Sequence, residues 1–349
     1  MMERRKFLRS AALAGAASLA TRALPMNAQT DDNAGAEAAP QNPVSRPSSP
    51  DMPLRDLGRT GEKVSLIGLG GAHIGLGHDE AASIHLMRTA IDRGITFFDN
   101  CWDYNGGVSE ERMGKALRDG YRQKVFVMTK TDSHKVRGFN TQLEDSLRRL
   151  QVETIDLVQF HEVIRNEDPE AIFAPGGALE AALAARKAGK IRYIGFTGHK
   201  DPSIHLHMLA TAQQHGFHFD TLQMPINVLD AHFRSFQNQV LPVAQQQGIG
   251  VLAMKTFGFG DILKARVASP IEMLHFSMSL PVSTVITGME SMPRLEQALT
   301  AARTYRKMDE QQVASLLART RDAAADGKYE LFKVSQRFDG TTKMPAWLA

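Results

Sequence analysis

The chain has 349 residues, 43% of them hydrophobic and 23% charged, a make-up that supplies ample material for a core and excludes disorder over most of its length. The formal net charge of +3 includes Arg4, Arg5, Lys6 and Arg9 at the N-terminus, so the remainder is close to neutral and carries no nucleic-acid footprint. The single Cys101 can form no internal disulfide and offers no cysteine pair for zinc or an iron–sulfur cluster, so neither metal nor cluster is expected.

Residues 3–9 read Glu-Arg-Arg-Lys-Phe-Leu-Arg and precede a mild apolar run from Ala11 to Ala20, too short and too weak to be a stable membrane span. Arg4-Arg5 with Phe7 and Leu8 resembles a twin-arginine signal peptide. The resemblance implies that residues 1–28 engage the twin-arginine export machinery, with cleavage expected after Ala28 and a periplasmic product. Residues 29–51 are rich in Ala, Pro, Ser, Asn and Asp; with almost no large apolar side chain they cannot offset the entropy of ordering, and a disordered linker is expected.

A folded domain is expected over 52–349. It opens with a hairpin in which Arg59-Thr60-Gly61 turns between Leu54–Leu57 and Val64–Leu69, closing the lower end of the domain. Val64–Leu69, Thr96–Phe98, Val125–Met128, Ile155–Phe160, Ile191–Phe196, Thr221–Gln223, Val251–Ala253 and Thr284–Ile286 read as eight strands. Between most of them lie stretches with apolar residues three and four apart: Glu80–Asp92, Gln142–Leu150, Ala178–Lys187, Ile204–His215 and Leu295–Tyr305. Such alternation implies a parallel sheet. Asp99, Lys130, His161, Thr197, Gln223, Lys255 and Gly288 fall just past successive apolar runs, at intervals of 31, 31, 36, 26, 32 and 33 residues. A closed barrel gathers all those ends on one rim. An open doubly wound sheet would spread them and place a full dinucleotide fingerprint after its first strand, which Gly68-Leu69-Gly70-Gly71 is not. The predicted fold is therefore α/β: a (β/α)8 TIM barrel with an N-terminal hairpin and a C-terminal helical extension. In that extension Asp309–Ala325 is expected as a helix on the exterior, and Phe332–Trp347 across the rim or the bottom.

Four rim residues stand out as a set. Asp99 ends Phe97-Phe98-Asp99, Tyr104 comes five residues later, Lys130 ends Phe126-Val127-Met128-Thr129-Lys130, and His161 ends Gln159-Phe160-His161. Their order and spacing resemble the catalytic tetrad of the aldo-keto reductases, over a span from about Leu54 to Tyr305. The chemistry is coherent on its own terms. Reducing a carbonyl by hydride transfer creates an alkoxide, so the site needs a proton donor at the carbonyl oxygen. Tyr104 can be that donor, its proton donation eased by the Lys130 ammonium, which favours phenolate, with Asp99 holding Lys130 and His161 orienting the carbonyl or taking part in the proton path. The hydride must come from a cofactor. Trp102 is expected to line the pocket for a small aldehyde or ketone, and the segment from Glu162 to Gly177 to shape it. Cys101 has no paired base and is not expected to be a nucleophile.

The same resemblance implies NADPH, with NADH possible. Its contacts would fall at Gly70, at Thr197, at Gly198 (which stands where an asparagine is usual, so that the amide contact is lost or supplied by His199), at Gln223, at Met254 where an aromatic ring often stacks, at Lys255 and Gly258 in a phosphate-covering loop, and at Gly288. Arg294 would hold a 2′-phosphate, and Gln297 would face adenine. The tail from Lys307 has no Cys, so it holds no added cluster. Two rivals are a barrel aldolase with a Schiff-base Lys130 or Lys255, and a noncatalytic NADP-binding sensor or regulatory barrel.

Overall fold

The turn at Arg59-Thr60-Gly61 forms, with Gly61 at φ 79°, and Leu54–Asp56 (β1) pairs antiparallel with Lys63–Ser65 (β2). In this computed structural model, which describes residues 43–46, 49–76 and 79–349, the run expected as one strand, Val64–Leu69, is two. It breaks at Leu66, because the chain changes sheets there: β2 bonds within the hairpin, whereas Ile67–Gly70 (β3) pairs with barrel neighbours on both sides. Leu57 and Val64 of the hairpin join Phe97, Phe126, Leu157, Tyr193 and Leu252 in a buried cluster that plugs the lower end of the barrel.

The other barrel strands are Phe97–Asp99 (β4), Phe126–Thr131 (β5), Ile155–Phe160 (β6), Ile191–Thr197 (β7), Thr221–Pro225 (β8), Gly250–Met254 (β9) and Thr284–Gly288 (β10). All pair in parallel in chain order, and β10 closes onto β3 with Gly288 opposite Gly70. Most run one to three residues beyond the apolar stretch, so Asp99, Lys130, Thr197, Gln223 and Gly288 lie inside strand ends rather than past them. The ladder is built from backbone groups, and it continues through polar residues: Lys130 stands opposite Gln159, and Thr197 opposite Gln223.

Below the plug, Glu62 and Asp156 are buried carboxylates bridged by two guanidinium groups. Arg46 reaches both, at 2.5 and 3.0 Å, and Arg192 meets Asp156 at 2.7 Å and Glu62 as well. Two uncompensated buried carboxylates would be strongly destabilising, which is the physical reason for two arginines there. Arg46 belongs to the stretch expected as a disordered linker, yet its side chain is 2% exposed. The expected signal, 1–28, and the linker up to 42 lie outside the described residues.

Helices Glu80–Asp92, Val108–Ala116, Val136–Leu150, Ala178–Lys187, Pro202–Gln214, Pro270–Ser279 and Met292–Thr304 surround the barrel. Asp79, Asp201 and Ser269 start three of them by accepting a first-turn backbone N–H. Their inner faces (Met87, Leu143, Ala182, Met208, Met278, Leu295) share one core with the outward residues of the strands (Leu69, Phe98, Val127, Val158, Ile194, Leu222). Two of these helices escape the periodicity argument. Val108–Ala116 buries a small polar face of Ser109, Glu110 and Gly114 around Met113, and Pro270–Ser279 buries Met273, Leu274, Phe276, Ser277 and Met278 in a nearly unbroken run. Glu310–Ala324 packs outside, Leu316 and Ala324 meeting Val228, Ile262 and Phe276. Among the described residues, no helix is long and apolar enough to cross a membrane.

Candidate active site

The expected tetrad converges at the upper rim. Lys130, 1% exposed, points its Nζ at three oxygens: the Asp99 carboxylate, the Asn100 carbonyl at 2.7 Å and the Tyr104 hydroxyl at 3.1 Å. Tyr104 is delivered by a tight reversal, since Asn105, Gly106 and Gly107 all take positive φ (55°, 64° and 95°) before the helix at Val108. At Gly107 a Cβ would also fall 2.5 Å from the Arg149 guanidinium, so only glycine fits. Burial, then the carboxylate of Asp99, the Cys101 thiol and the carboxylates of Asp103 and Glu162, push the Tyr104 phenol well above its ordinary value. The surrounding acids and the low-dielectric site outweigh one ammonium, and Tyr104 rests as a phenol.

His161 stands edge-on to Tyr104 with ring centroids 6.0 Å apart. Its Nδ1 faces Asp132 Oδ1 at 2.8 Å, Cys101 Sγ at 3.2 Å and Asp103 Oδ1 at 3.8 Å. Burial opposes charge on the ring, but Asp132, then Asp103 and Glu162, carry His161 up to about 8. Burial, then the Asp103 and Asp132 carboxylates, push the Cys101 thiol up, which fits its expected lack of nucleophilic character. Together, Cys101, Asp103, Asp132 and His161 bring four metal-capable atoms within 4.8 Å of one another, a convergence the lone cysteine did not suggest. The spacing is that of direct hydrogen bonding: two ligands of one tetrahedral zinc stand roughly 3.4 Å apart, given bonds of about 2.1 Å, whereas His161 and Asp132 touch at 2.8 Å.

Asp99, Asp103, Tyr104, Lys130 and His161 wall one end of a cavity of about 410 Å³ at the mouth of the barrel, the size of a small-molecule site. Of the expected cofactor positions, Gly70, Thr197, Gln223, Met254, Lys255, Gly288 and Arg294 line it. Thr197 Oγ1 and Gln223 Oε1 are buried without partners. One can donate and the other accept, the complement of a carboxamide. Burial first, with Lys130 adding to it against Glu162 and Asp99, brings Lys255 down to about 8.

Four expected residues and most of one expected segment lie off this wall. Gly198 does not line the cavity; a Cβ there would collide with the Val163 carbonyl, so its smallness serves packing between strand ends. Gly258 is likewise turned onto Ile262, and its neighbours Phe257, Phe259 and Gly260 line the space instead. Gln297 is off the wall and accepts from Arg294 at 3.3 Å. Trp102 turns outward: its Nε1 donates to Asp145 at 3.3 Å and its ring meets Trp347 edge-on at 5.7 Å. The segment from Glu162 to Gly177 contributes only Glu162 to the cavity, because Asp168 folds it back by accepting from Ile164 and Arg165 N–H.

The rest of the wall comes from groups not singled out in the sequence and from the C-terminal stretch, which was expected across the rim or the bottom. His73 stacks on Phe259 at 4.5 Å, and Asp103 faces the cavity with Oδ1 unpartnered. The C-terminal stretch crosses the rim. Lys333, fully buried, is held by Asp230 at 2.7 Å and Glu330 at 3.0 Å. Phe338 lies 4.7 Å from Lys255 Nζ, and Asp339 accepts from His199 at 3.1 Å and pairs with Lys200. Glu162 accepts from the N–H groups of Gly340 and Thr341 at 2.8 and 2.7 Å. A buried acid of this kind is signalled in sequence only by its place next to His161.

The sequence profile of the Aldo/keto reductase family matches residues 66–277. The chain belongs to the aldo/keto reductase family. In its barrel the unpartnered Thr197 Oγ1 and Gln223 Oε1 fit the carboxamide of a nicotinamide. This aldo/keto reductase is similar to the uncharacterized oxidoreductase YrpG of Bacillus subtilis, at 30% identity over 224 residues, 58% of this chain and 66% of that one. It is similar to the aldo-keto reductase YhdN of the same organism at 33% over 216 residues, 58% and 61% of the two chains. The matches thus span just under two thirds of each relative. An aldo-keto reductase of Bacillus halodurans, solved in a holo form, shares the fold with a TM-score of 0.62 at 23% identity, over 76% of this chain and 96% of that one.

Proposed function

We propose that this aldo/keto reductase uses NADPH to reduce a small aldehyde or ketone to its alcohol, with Tyr104 as general acid assisted by Lys130, Asp99 and His161. The observation that carries the reading is the Lys130 ammonium set between the Asp99 carboxylate and the Tyr104 hydroxyl, 3.1 Å from the latter. When bound, the reduced nicotinamide supplies the hydride. The protein's own groups manage the resulting charge. Tyr104 holds its proton at neutral pH and gives it up only to a developing alkoxide, a far stronger base than the carbonyl oxygen. Lys130 is in place to stabilise the phenolate left behind, and Asp99 keeps Lys130 there. His161, edge-on to the phenol, orients the carbonyl.

The preference for NADPH rests on Arg294, which lines the cavity and is braced by Glu290 at 3.5 Å. A guanidinium suits a 2′-phosphate dianion. We also propose export to the periplasm by the twin-arginine route, supported by Arg4-Arg5 ahead of the weak apolar run. That route would let the barrel load its nucleotide before transport. The test of function is loss of NADPH absorbance when the purified protein meets a panel of aldehydes and ketones. Tight NADP binding with no turnover across the panel would make the chain a noncatalytic nucleotide-binding barrel instead.

A further inference from the structure

His161 has a partner outside the tetrad. Asp132, two residues after Lys130, is fully buried, and its Oδ1 lies 2.8 Å from His161 Nδ1 while Oδ2 has no partner. The carboxylate is not free to swing away, because the backbone N–H groups of Asp132 and Ser133 both donate to Gln142 Oε1, at 2.7 and 3.0 Å, tying the loop to helix Val136–Leu150. An ionised carboxylate only accepts, so the ring must carry a proton on Nδ1. That constrains Nε2, the nitrogen left for the cavity. In a neutral ring it would be a bare acceptor, unable to bond a carbonyl oxygen; in an imidazolium it is a donor. A substrate-orienting His161 in this site must therefore be charged, and the charge needs a counter-ion.

We propose that Asp132 is a positioning residue that makes His161 a cationic donor, so that the carbonyl oxygen is met by His161 Nε2–H as well as by the Tyr104 hydroxyl. The inference rests on the carbonyl-reductase reading above. His161 supplies a hydrogen bond and keeps its protons; hydride reaches the carbonyl carbon from the cofactor, and the oxygen takes its proton from Tyr104. The groups facing the ring are Asp132 after β5, Cys101 and Asp103 after β4, Glu162 next in the chain, and Tyr104 edge-on with the Lys130 ammonium behind it. Three carboxylates stand against one more distant ammonium. Burial opposes the charge, the carboxylates outweigh it, and the ring stays protonated to about pH 8.

The test is Asp132→Asn in the full chain with saturating NADPH. Asparagine keeps the volume and an acceptor for Nδ1–H but removes the charge and the strongest support of the ring's protonation, leaving only Asp103 and Glu162 against burial. kcat for carbonyl reduction should survive at low pH, while its alkaline limb moves from near pH 8 to below the ordinary histidine value of 6.5, a loss of about tenfold at pH 7.5. A uniform loss with the limb unmoved would mean that Asp132 only supports the fold, and would overturn the proposal. A second measurement needs no variant. In the NADP-loaded wild type with 15N-labelled histidine, both His161 ring nitrogens should be protonated at pH 7, and the spectrum of a neutral ring would refute the pair. That spectrum is independent of turnover, so a wild type that reduces no carbonyl would count against the proposed function alone.

Discussion

Replacing Tyr104 by Phe removes one oxygen from the site and little else. The ring can stay edge-on to His161, and Lys130 keeps both the Asp99 carboxylate and the Asn100 carbonyl at 2.7 Å, so the buried ammonium retains its counter-charge. Only the 3.1 Å hydrogen bond between Lys130 and the hydroxyl disappears, a stability change of about 1 kcal/mol or less. Carbonyl reduction, by contrast, loses its acid. A fall of about 10²-fold or more in kcat is expected, equivalent to about 2.7 kcal/mol of barrier. Lys130→Met is not the mirror image. It strands Asp99, 4% exposed, beside an aliphatic chain, and an unpaired buried charge costs about 3–5 kcal/mol, so activity and stability should fall together. Because both changes act on one proton transfer, the double variant should lose far less than the product of the two separate losses. NADPH absorbance at saturating carbonyl reads the rate, fluorescence titration reads cofactor binding, and a thermal melt reads stability. A well-folded Tyr104→Phe protein with undiminished kcat would refute the assignment and move the donor to His161 or a bound water.

Arg294→Ala should weaken NADPH binding by roughly 1.5–3 kcal/mol, the value of a charged hydrogen bond, and leave NADH binding nearly unchanged; fluorescence titrations showing equal losses would make Arg294 structural. Lys333→Met leaves Asp230 and Glu330 buried without their shared cation, which should cost about 3–5 kcal/mol and lower Tm by on the order of 10 °C; an unchanged melt would show that the pairing is neutral. Replacing Arg4 and Arg5 by lysine should strand the protein in the cytoplasm, as read by fractionation, and unchanged export would sink the twin-arginine reading.

Much of the barrel is legible in the sequence because each strand end carries a polar residue at a near-regular interval, and a closed sheet is the arrangement that uses all seven together. The hairpin and first strand merge because Val64–Leu69 is one apolar run in sequence, and only the choice of hydrogen-bonding partner divides it at Leu66. In the site, the strand-end residues Asp99, Lys130, Thr197 and Gln223 can be placed because period-two geometry fixes which side of the strand they occupy. Loop residues have no such rule. Trp102 and Gly258 depend on turns whose direction spacing does not encode, and Asp132 and Glu162 gain meaning only when separate loops bring them to His161.

The stretch from Leu331 to Leu348 completes the mouth, with Phe338 against Lys255 and Asp339 on His199. β10, which seals the barrel, precedes it by some forty residues. During synthesis at about 5–20 residues per second, the tetrad of a nascent chain would emerge on the order of tens of seconds before its walls do. Until then Lys130 and Tyr104 would face water through an open seam. This late stretch thus governs when the chemistry becomes sheltered, and a ribosome stalled past β10 but short of Phe332 would hold a closed barrel with an unfinished site.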